Sequence, residues 1–446
     1  MAPPSRRAPL VLAALLLALG LGLRAAGRPN DGDLVVYYRV CPRVQAGLDL
    51  YHLREGPDPT RPTAYIYPPP FALAFAPLCA LPFPLLRGLW CALGVLAAFR
   101  AAWLAVDLLP RPPSALAVAL GLGFWLRYAW SDLNHGQVNL LVAWLTLEGI
   151  AAVERAGVGA APGSAQRGEL QRGELLGGAL LAAAVALKLT PGLVVAHYLL
   201  RGRRRVVAAA GATLAALLLL PALVLGWGRN LDYLARFALE VTPWNARYHA
   251  FVGNNAALPG LAARLLAGSA DAGQTPRPLL LALPPERALL LARALSLGAF
   301  ALALALAQRA RGVRALALVT AAIPLVSPIA WKPHLVTLIL PGAVAGALLL
   351  RPGRHRAPLA LALLAVGLAG RGPLGRALAD AWILWGGTTG GLLLLALGLT
   401  LAPDLVPEDG PAPEEHLDPD PELEPGLEPG LDPDPSAGAP PCTTTS

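Results

Sequence analysis

Asp31 and Asp33 stand one residue apart in Asn30-Asp31-Gly32-Asp33-Leu34-Val35-Val36-Tyr37-Tyr38, just beyond an apolar run that ends near residue 27. A carboxylate at position 33 can serve as a general base, or it can cap the helix that the apolar spacing of residues 34–50 suggests. Read as D-x-D, the pair could hold a divalent cation, but no further ligands accompany it. The densest polar cluster between apolar runs is Asp132-Leu133-Asn134-His135-Gly136-Gln137-Val138-Asn139. Only two lysines occur, Lys188 and Lys332, against 34 arginines. Lys188 lies about thirteen residues into an apolar segment, too deep for its ammonium to reach water easily, which suits a buried polar role. Lys332 and His334 follow Trp331 at the opening of another apolar run. A solvated cation and an interfacial imidazole are the plain readings of those two.

The elements that must position these groups are membrane helices. Hydrophobic residues make up 55% and charged residues 14% of the 446-residue chain, and mean hydropathy is +0.54. Both fractions lie far from those of a soluble domain, so an ordinary soluble enzyme is excluded. The four cysteines, Cys41, Cys79, Cys91 and Cys442, share no spacing and do not read as a disulfide scaffold. Twelve of the 28 acidic residues lie beyond Ala402 with no Lys or Arg among them, so the first 402 residues carry +20. The arginines cluster in short gaps between apolar runs, which is a membrane pattern and not that of a nucleic-acid binder.

A span needs about 20 mainly apolar residues. Such runs lie near 9–27, 85–106, 114–130, 137–153, 175–199, 206–226, 288–307, 312–328, 335–350, 357–370 and 378–402, with a shorter Pro-rich one near 68–83. Arginines without acids surround residues 6–7, 201–205, 309–314 and 351–356, and the positive-inside rule places all four groups in the cytoplasm. Parity then requires 68–83 to cross as well. The expectation is an all-α polytopic membrane protein of about 11–12 transmembrane helices, residues 1–402, with both ends inside. Its outer segments would be 28–67, 154–174 and 227–287, and the 132–139 cluster would fall on the cytoplasmic side. The first run also fits a cleaved signal peptide. Residues 403–446 are rich in Pro, Glu, Asp and Gly and read as a disordered acidic cytoplasmic tail.

Five groups of residues, in order, resemble glycosyltransferase family 87. They are Asp33–Tyr38 with Gly47–Tyr51 and Tyr65–Phe71; Gly136–Asn139; Lys188–Pro191; Gly253–Asn255 with Arg264; and Ser327–His334. The family usually continues the Gly253-Asn254 motif with Gln-Ser, where this chain has Asn255 and Ala256, and often shows a His pair after the Trp, where this chain has Pro333 and His334. The resemblance implies a GT-C fold and a multi-pass protein of a bacterial-type plasma membrane. It implies an inverting transfer of a hexosyl group, mannosyl in the family, from a polyprenyl-phosphate sugar to a lipid or glycan acceptor at the outer face. The phosphate leaves as an anion needing no proton, so one carboxylate suffices as general base, and the resemblance gives Asp33 that role.

The same resemblance makes His334 a catalytic contact to the donor phosphate or the acceptor. It makes Tyr37, Tyr38, Tyr67, Asn134, Gln137, Asn139, Lys188, Asn254, Asn255, Trp331 and Lys332 substrate-binding residues. No metal or other cofactor is needed if cationic side chains stabilise the phosphate. Trp227, Tyr233, Trp244, Tyr248 and Trp331 suit an interfacial belt or sugar-stacking faces, and Asn254 and Asn255 suit sugar hydroxyls or helix caps. A transporter or flippase is the competing reading, and it would require paired charges near the membrane midplane or an inverted internal repeat; the charges within runs are Arg127, Glu148 and Lys188, and no clear repeat is present.

Overall fold

In hydrocarbon a lone backbone segment can satisfy its amides and carbonyls only as a helix, and the apolar runs behave accordingly. The computed structural model describes residues 4–28, 32–51, 65–157, 164–270 and 279–405, and every regular element among them is helical. The first half comprises α1 (Pro4–Ala26), α2 (Asp33–Gln45), α3 (Pro69–Phe75) with a 3₁₀ turn (Ala76–Ala80), α4 (Phe83–Asp107), α5 (Ala115–Leu122), α6 (Leu126–His135), α7 (Asn139–Gly157), α8 (Ser164–Leu187), α9 (Gly192–Leu200) and α10 (Arg204–Leu219). Four short helices follow: α11 (Ala222–Leu225), α12 (Trp227–Arg236), α13 (Thr242–Tyr248) and α14 (Leu258–Ala267). The chain then returns through α15 (Pro285–Arg309), α16 (Gly312–Val326), a 3₁₀ turn (Lys332–Leu338) leading into α17 (Ile339–Leu349), α18 (Arg356–Leu368), α19 (Arg371–Leu384) and α20 (Gly387–Leu401).

Six of these helices are long and apolar enough to cross a membrane, or seven if α19 and α20, bent by 66°, count as one span. The count of eleven to twelve from apolar runs differs because runs and helices are not the same objects. The 114–130 run breaks into α5 and α6, and 312–328 and 357–370 yield only the shorter α16 and α18. α7 has the length but carries Glu148, Glu154 and Arg155.

Two departures correct the expected sidedness. The 68–83 run becomes seven α-helical and five 3₁₀ residues, roughly 20 Å in all, too short for a hydrocarbon core of about 30 Å. The 175–199 run is broken at Lys188–Pro191, so α8 and α9 are two arms, not one span. In consequence Glu174 of α8 pairs with Arg203 at 3.3 Å, and the Tyr198 hydroxyl donates to Glu154 at 2.9 Å. Glu154 and Glu174 thus share an end of the bundle with Arg201–Arg205, whereas run counting placed the two groups on opposite sides. Lys188 stands at the other end of α8, roughly 20 Å from Glu174 at 1.5 Å per residue.

At that other end, α2 and α3 form a layer closed by aromatic packing. Tyr37 meets Tyr67, Phe71, Phe75 and Trp90 edge-on at 4.9–6.0 Å. A disulfide joins Cys41 of α2 to Cys79 of the 3₁₀ turn across 38 residues. The spacing argument missed this pair because a single bond between surface segments leaves no recurring pattern. The compact unit ends at Val406, a few residues later than composition suggested. Asp404 accepts from Arg314 at 2.7 Å and Leu405 is buried. The expected tail from 406 onward lies outside the described residues.

The revised sidedness is testable by labelling with a membrane-impermeant thiol reagent. Gln171→Cys is expected to react from the same side as Gly202→Cys, and Ala270→Cys from the opposite side. Reaction of Gln171→Cys and Ala270→Cys from one side would restore the run-counting topology.

Candidate active site

α2 begins at Asp33, with Gly32 in the cap position at φ 87°, and no side chain caps its first amides. The cap reading of Asp33 therefore finds no bond to support it. Gly136 closes α6 in the left-handed region at φ 62°, where a residue without Cβ is least strained. These two turns touch. A Cβ on Gly32 would stand 2.5 Å from the His135 carbonyl oxygen, and one on Gly136 would stand 2.8 Å from the Leu34 Cβ. Trp90 Nε1 donates to the Gly136 carbonyl at 3.0 Å and fixes the turn from behind. The close approach brings the 132–139 cluster, which run counting placed on the far side, against Asp33.

From this contact a line of polar side chains runs in one direction. Lys188 Nζ donates to Asn139 Oδ1 at 2.7 Å. Asn139 Nδ2 donates to Gln137 Oε1, and the Gln137 side chain faces the Asp33 carboxyl and favours its charged form. An ammonium can only donate and a carboxylate can only accept, so the two ends dictate how both amides must point. Burial pushes the Asp33 carboxyl above the usual carboxylate range, and the charges of Lys188 and His135 and the Gln137 side chain oppose that rise. A second carboxylate, Asp132, is fully buried with neither oxygen closing a hydrogen bond. It faces the Asn139 side chain, the Leu140 amide and the charges of Lys188 and Asp33. Sequence reading quoted Asp132 within its motif but gave it no part. The signal was available, since it is the only acid in that cluster.

Beyond Lys188 the chain of polar groups continues into a small cavity shared by Asn139, Lys188, Thr190, Ser327, His334 and Thr337. His334 Nδ1 is engaged by the backbone at Ile329 and Trp331, at 3.1 and 3.3 Å, which leaves Nε2 for a ligand. Trp331 stacks on His334 with centroids 6.0 Å apart and receives His249 edge-on at 4.8 Å. His249, from the end of α13, was missed by the sequence reading because its partner lies more than 80 positions away. Trp244 and Tyr248 stack on each other at 4.8 Å alongside it.

The remaining site residues divide. Tyr37 and Tyr67 are joined hydroxyl to hydroxyl at 2.9 Å. Burial, and the nearby Asp33 charge, raise both phenols and keep them neutral donors. Tyr38 packs on Phe83 instead, and Asn134 accepts from Arg28. Asn254 is exposed, and Lys332 is half-buried at the start of its 3₁₀ turn. Asn255 is fully buried. Its Nδ2 donates to the carbonyls of Pro328 and His249 at 3.0 and 3.3 Å, and its Oδ1 accepts from the amides of Ala257 and Ala330 at 3.1 and 3.0 Å. Nothing is left over for a sugar hydroxyl. Asn255 clamps the 327–334 segment that carries His334, and buried Arg264 holds the same turn through the Val252 and Asn255 carbonyls at 3.1 and 2.7 Å. Among the described residues no three His, Cys, Asp or Glu side chains gather as a metal site; Asp31 lies outside them.

Glu148 and Arg127, two of the charges within the apolar runs, both have partners in the fold. Glu148 is bonded by Arg100 at 2.6 Å and by Trp144 at 3.0 Å, and Arg127 donates to the carbonyls of Gly367 and Ala369.

A model of glycosyltransferase family 87 matches residues 65–328, more than half of the chain. It spans Tyr67, the 134–139 segment, Lys188, Asn254 and Asn255, and stops short of Asp33 and of Trp331–His334. No curated protein sequence matches. Among solved structures, ArnT from Cupriavidus metallidurans bound to undecaprenyl phosphate is similar at 16% identity, over 90% of this chain and 78% of that one, with a TM-score of 0.46.

The clamp role of Asn255 has a direct consequence. Asn255→Ala strands two amides and two carbonyls in a buried turn, which is expected to cost roughly 3 kcal/mol. Thermal unfolding in detergent should show a lowered midpoint for Asn255→Ala and an unchanged one for Asn254→Ala. Equal midpoints for wild type and Asn255→Ala would contradict the clamp.

Proposed function

The chain belongs to glycosyltransferase family 87, and from that premise we propose that it transfers a hexosyl group, mannosyl by the family resemblance, from a polyprenyl-phosphate sugar to a lipid or glycan acceptor at the outer face of the cell membrane, with Asp33 as general base. The observation that carries this reading is the oriented chain Lys188–Asn139–Gln137–Asp33. It holds a base and a cation at fixed separation within one site. The acceptor hydroxyl attacks the anomeric carbon from the face opposite the phosphate. Its proton passes to Asp33, while the bond from the anomeric carbon to the bridging phosphate oxygen breaks and that oxygen keeps the electron pair. This is the base half of an inverting glycosidase, without the acid.

Lys188, and His334 through Nε2, receive the charge that develops on the leaving phosphate, in a cavity that both line. Fixed donors aimed at developing charge lower the barrier because they need no reorganisation. A carboxyl held above its ordinary range is also a stronger base than a solvated one, provided it remains ionised at the working pH. Tyr37 and Tyr67 wall the acceptor side as neutral donors. Two observations support the outer face: the bare arginines gather at the opposite end of the bundle, and the Cys41–Cys79 disulfide beside the site belongs to an oxidising compartment.

The test is Asp33→Asn, assayed with a panel of polyprenyl-phosphate sugars and membrane-lipid acceptors and with products identified by mass spectrometry. The amide keeps the shape but cannot take the proton, so turnover should fall roughly 10²–10⁴-fold while donor binding persists. Asp31→Asn should cost far less. Wild-type turnover in Asp33→Asn defeats the base assignment.

A further inference from the structure

The span formed by α10 and α11 runs 22 residues, from Arg204 to Leu225, which is roughly 33 Å of helix and enough to cross a hydrocarbon core of about 30 Å. It starts at the arginine end of the bundle, where Arg203 and Arg205 meet Glu174, so Gly226 marks the opposite boundary. Gly226 takes φ 81°, a value open to a residue without Cβ, and α12 begins at the next residue. α12 does not climb away from the membrane. Asn230, one turn in, is fully buried, and its Nδ2 donates to the Leu218 carbonyl at 3.0 Å. That carbonyl lies roughly 10 Å back down the span from Leu225, so the bond holds α12 beside the last two turns of the span. Further along, Tyr233 donates to the Leu48 carbonyl at 2.6 Å and Arg236 pairs with Asp49 at 2.6 Å. α12 is thereby tied to the span on one side and to the turn that ends α2 on the other.

The helix has three faces. Asn230 and Tyr233 are buried on the inner one. Arg229, Asp232 and Arg236 share a second, by their i, i+3, i+7 spacing, and exposed Trp227, Leu231 and Ala235 share a third, by i, i+4, i+8. A surface helix in water turns its apolar stripe inward; α12 turns an amide and a phenol inward and its apolar stripe out. That stripe carries on from the exposed end of the span, where Leu223 and Val224 are 80% and 76% exposed. Residues 52–64 and 271–278 lie outside the described residues, and between them they hold one large aliphatic side chain, Leu53, too little for an apolar cover. Lipid is the partner that matches the stripe. We propose that α12 lies flat in the membrane surface, with Trp227, Leu231 and Ala235 in the boundary between acyl chains and headgroups and with Arg229, Asp232 and Arg236 toward headgroups and water. Through Leu48 and Asp49 the bilayer then sets the height of the α2 layer that carries Asp33.

The experiment is electron paramagnetic resonance on the full chain in liposomes of phosphatidylglycerol and phosphatidylcholine. Nitroxide labels are placed singly at Leu231→Cys, Ala235→Cys and Asp232→Cys, with Cys91→Ala and Cys442→Ser removing the thiols outside the disulfide. All three labelled positions are exposed, so the substitutions leave the packed face of α12 intact. Labels at Leu231 and Ala235 are expected to collide with dissolved oxygen several-fold more than with a water-soluble nickel chelate, and the label at Asp232 is expected to do the reverse. A Leu231 label as open to the chelate as the Asp232 label puts the stripe in water. Labels at Leu231 and Ala235 shielded from both reagents put it under protein, whether residues 52–64 or a second copy of the chain. Either result overturns the proposal.

Discussion

A carboxylate and an ammonium placed in a partly dry site attract each other strongly enough to collapse into an ion pair unless something holds them apart. Here two amides hold them apart. Asn139 and Gln137 accept from the cation side and donate toward the carboxylate, so Lys188 and Asp33 stabilise each other without touching. The rest of the fold serves that separation. Gly32 and Gly136 allow two turns to meet at backbone distance, the Lys188–Pro191 break between α8 and α9 presents the ammonium, and Asn255 with Arg264 clamps the segment that delivers His334. A site assembled from the ends of α2, α7, α8 and the 3₁₀ turn before α17 leaves the helices themselves free to be simple apolar spans.

Asp132 adds a constraint of its own. A buried carboxylate with no closed hydrogen bond is costly to hold, and its charge reaches both Lys188 and Asp33. Burial raises the Asp33 carboxyl above the usual carboxylate range, and the charge of Lys188 opposes that rise. A glycosyl donor with a phosphate leaving group suits such an arrangement, since it asks for a base and a cation and for no acid.

The chemistry of this site was more legible in the sequence than its topology. Asp33, Gln137, Asn139, Lys188 and His334 stand out by type because polar residues are scarce in an apolar chain, and the structure brings all five together. Helical class was equally plain from the runs. Sidedness was not, because a length of apolar residues does not reveal where the helix inside it ends. The prolines around α3 shorten one run below a span, and Pro191 splits another into two arms. Those two errors reverse the side of the 132–139 cluster and of Glu154 and Glu174. Asn255 looked like a sugar ligand because sequence gives an amide's identity and not its partners. His249 and the Cys41–Cys79 bond were hidden for a related reason, since each is defined by a contact distant in sequence.

The central claim is that Lys188 acts on Asp33 through the amide chain, and the pH dependence of turnover tests it most directly. Loss of activity on the acid side should report protonation of Asp33 and lie above the usual carboxylate range, as burial requires. In Lys188→Gln the favourable charge is gone, so the carboxyl should protonate more readily and the acid limb should move to higher pH, whatever happens to the maximal rate. An acid limb that stays in place or moves to lower pH in Lys188→Gln would contradict the account.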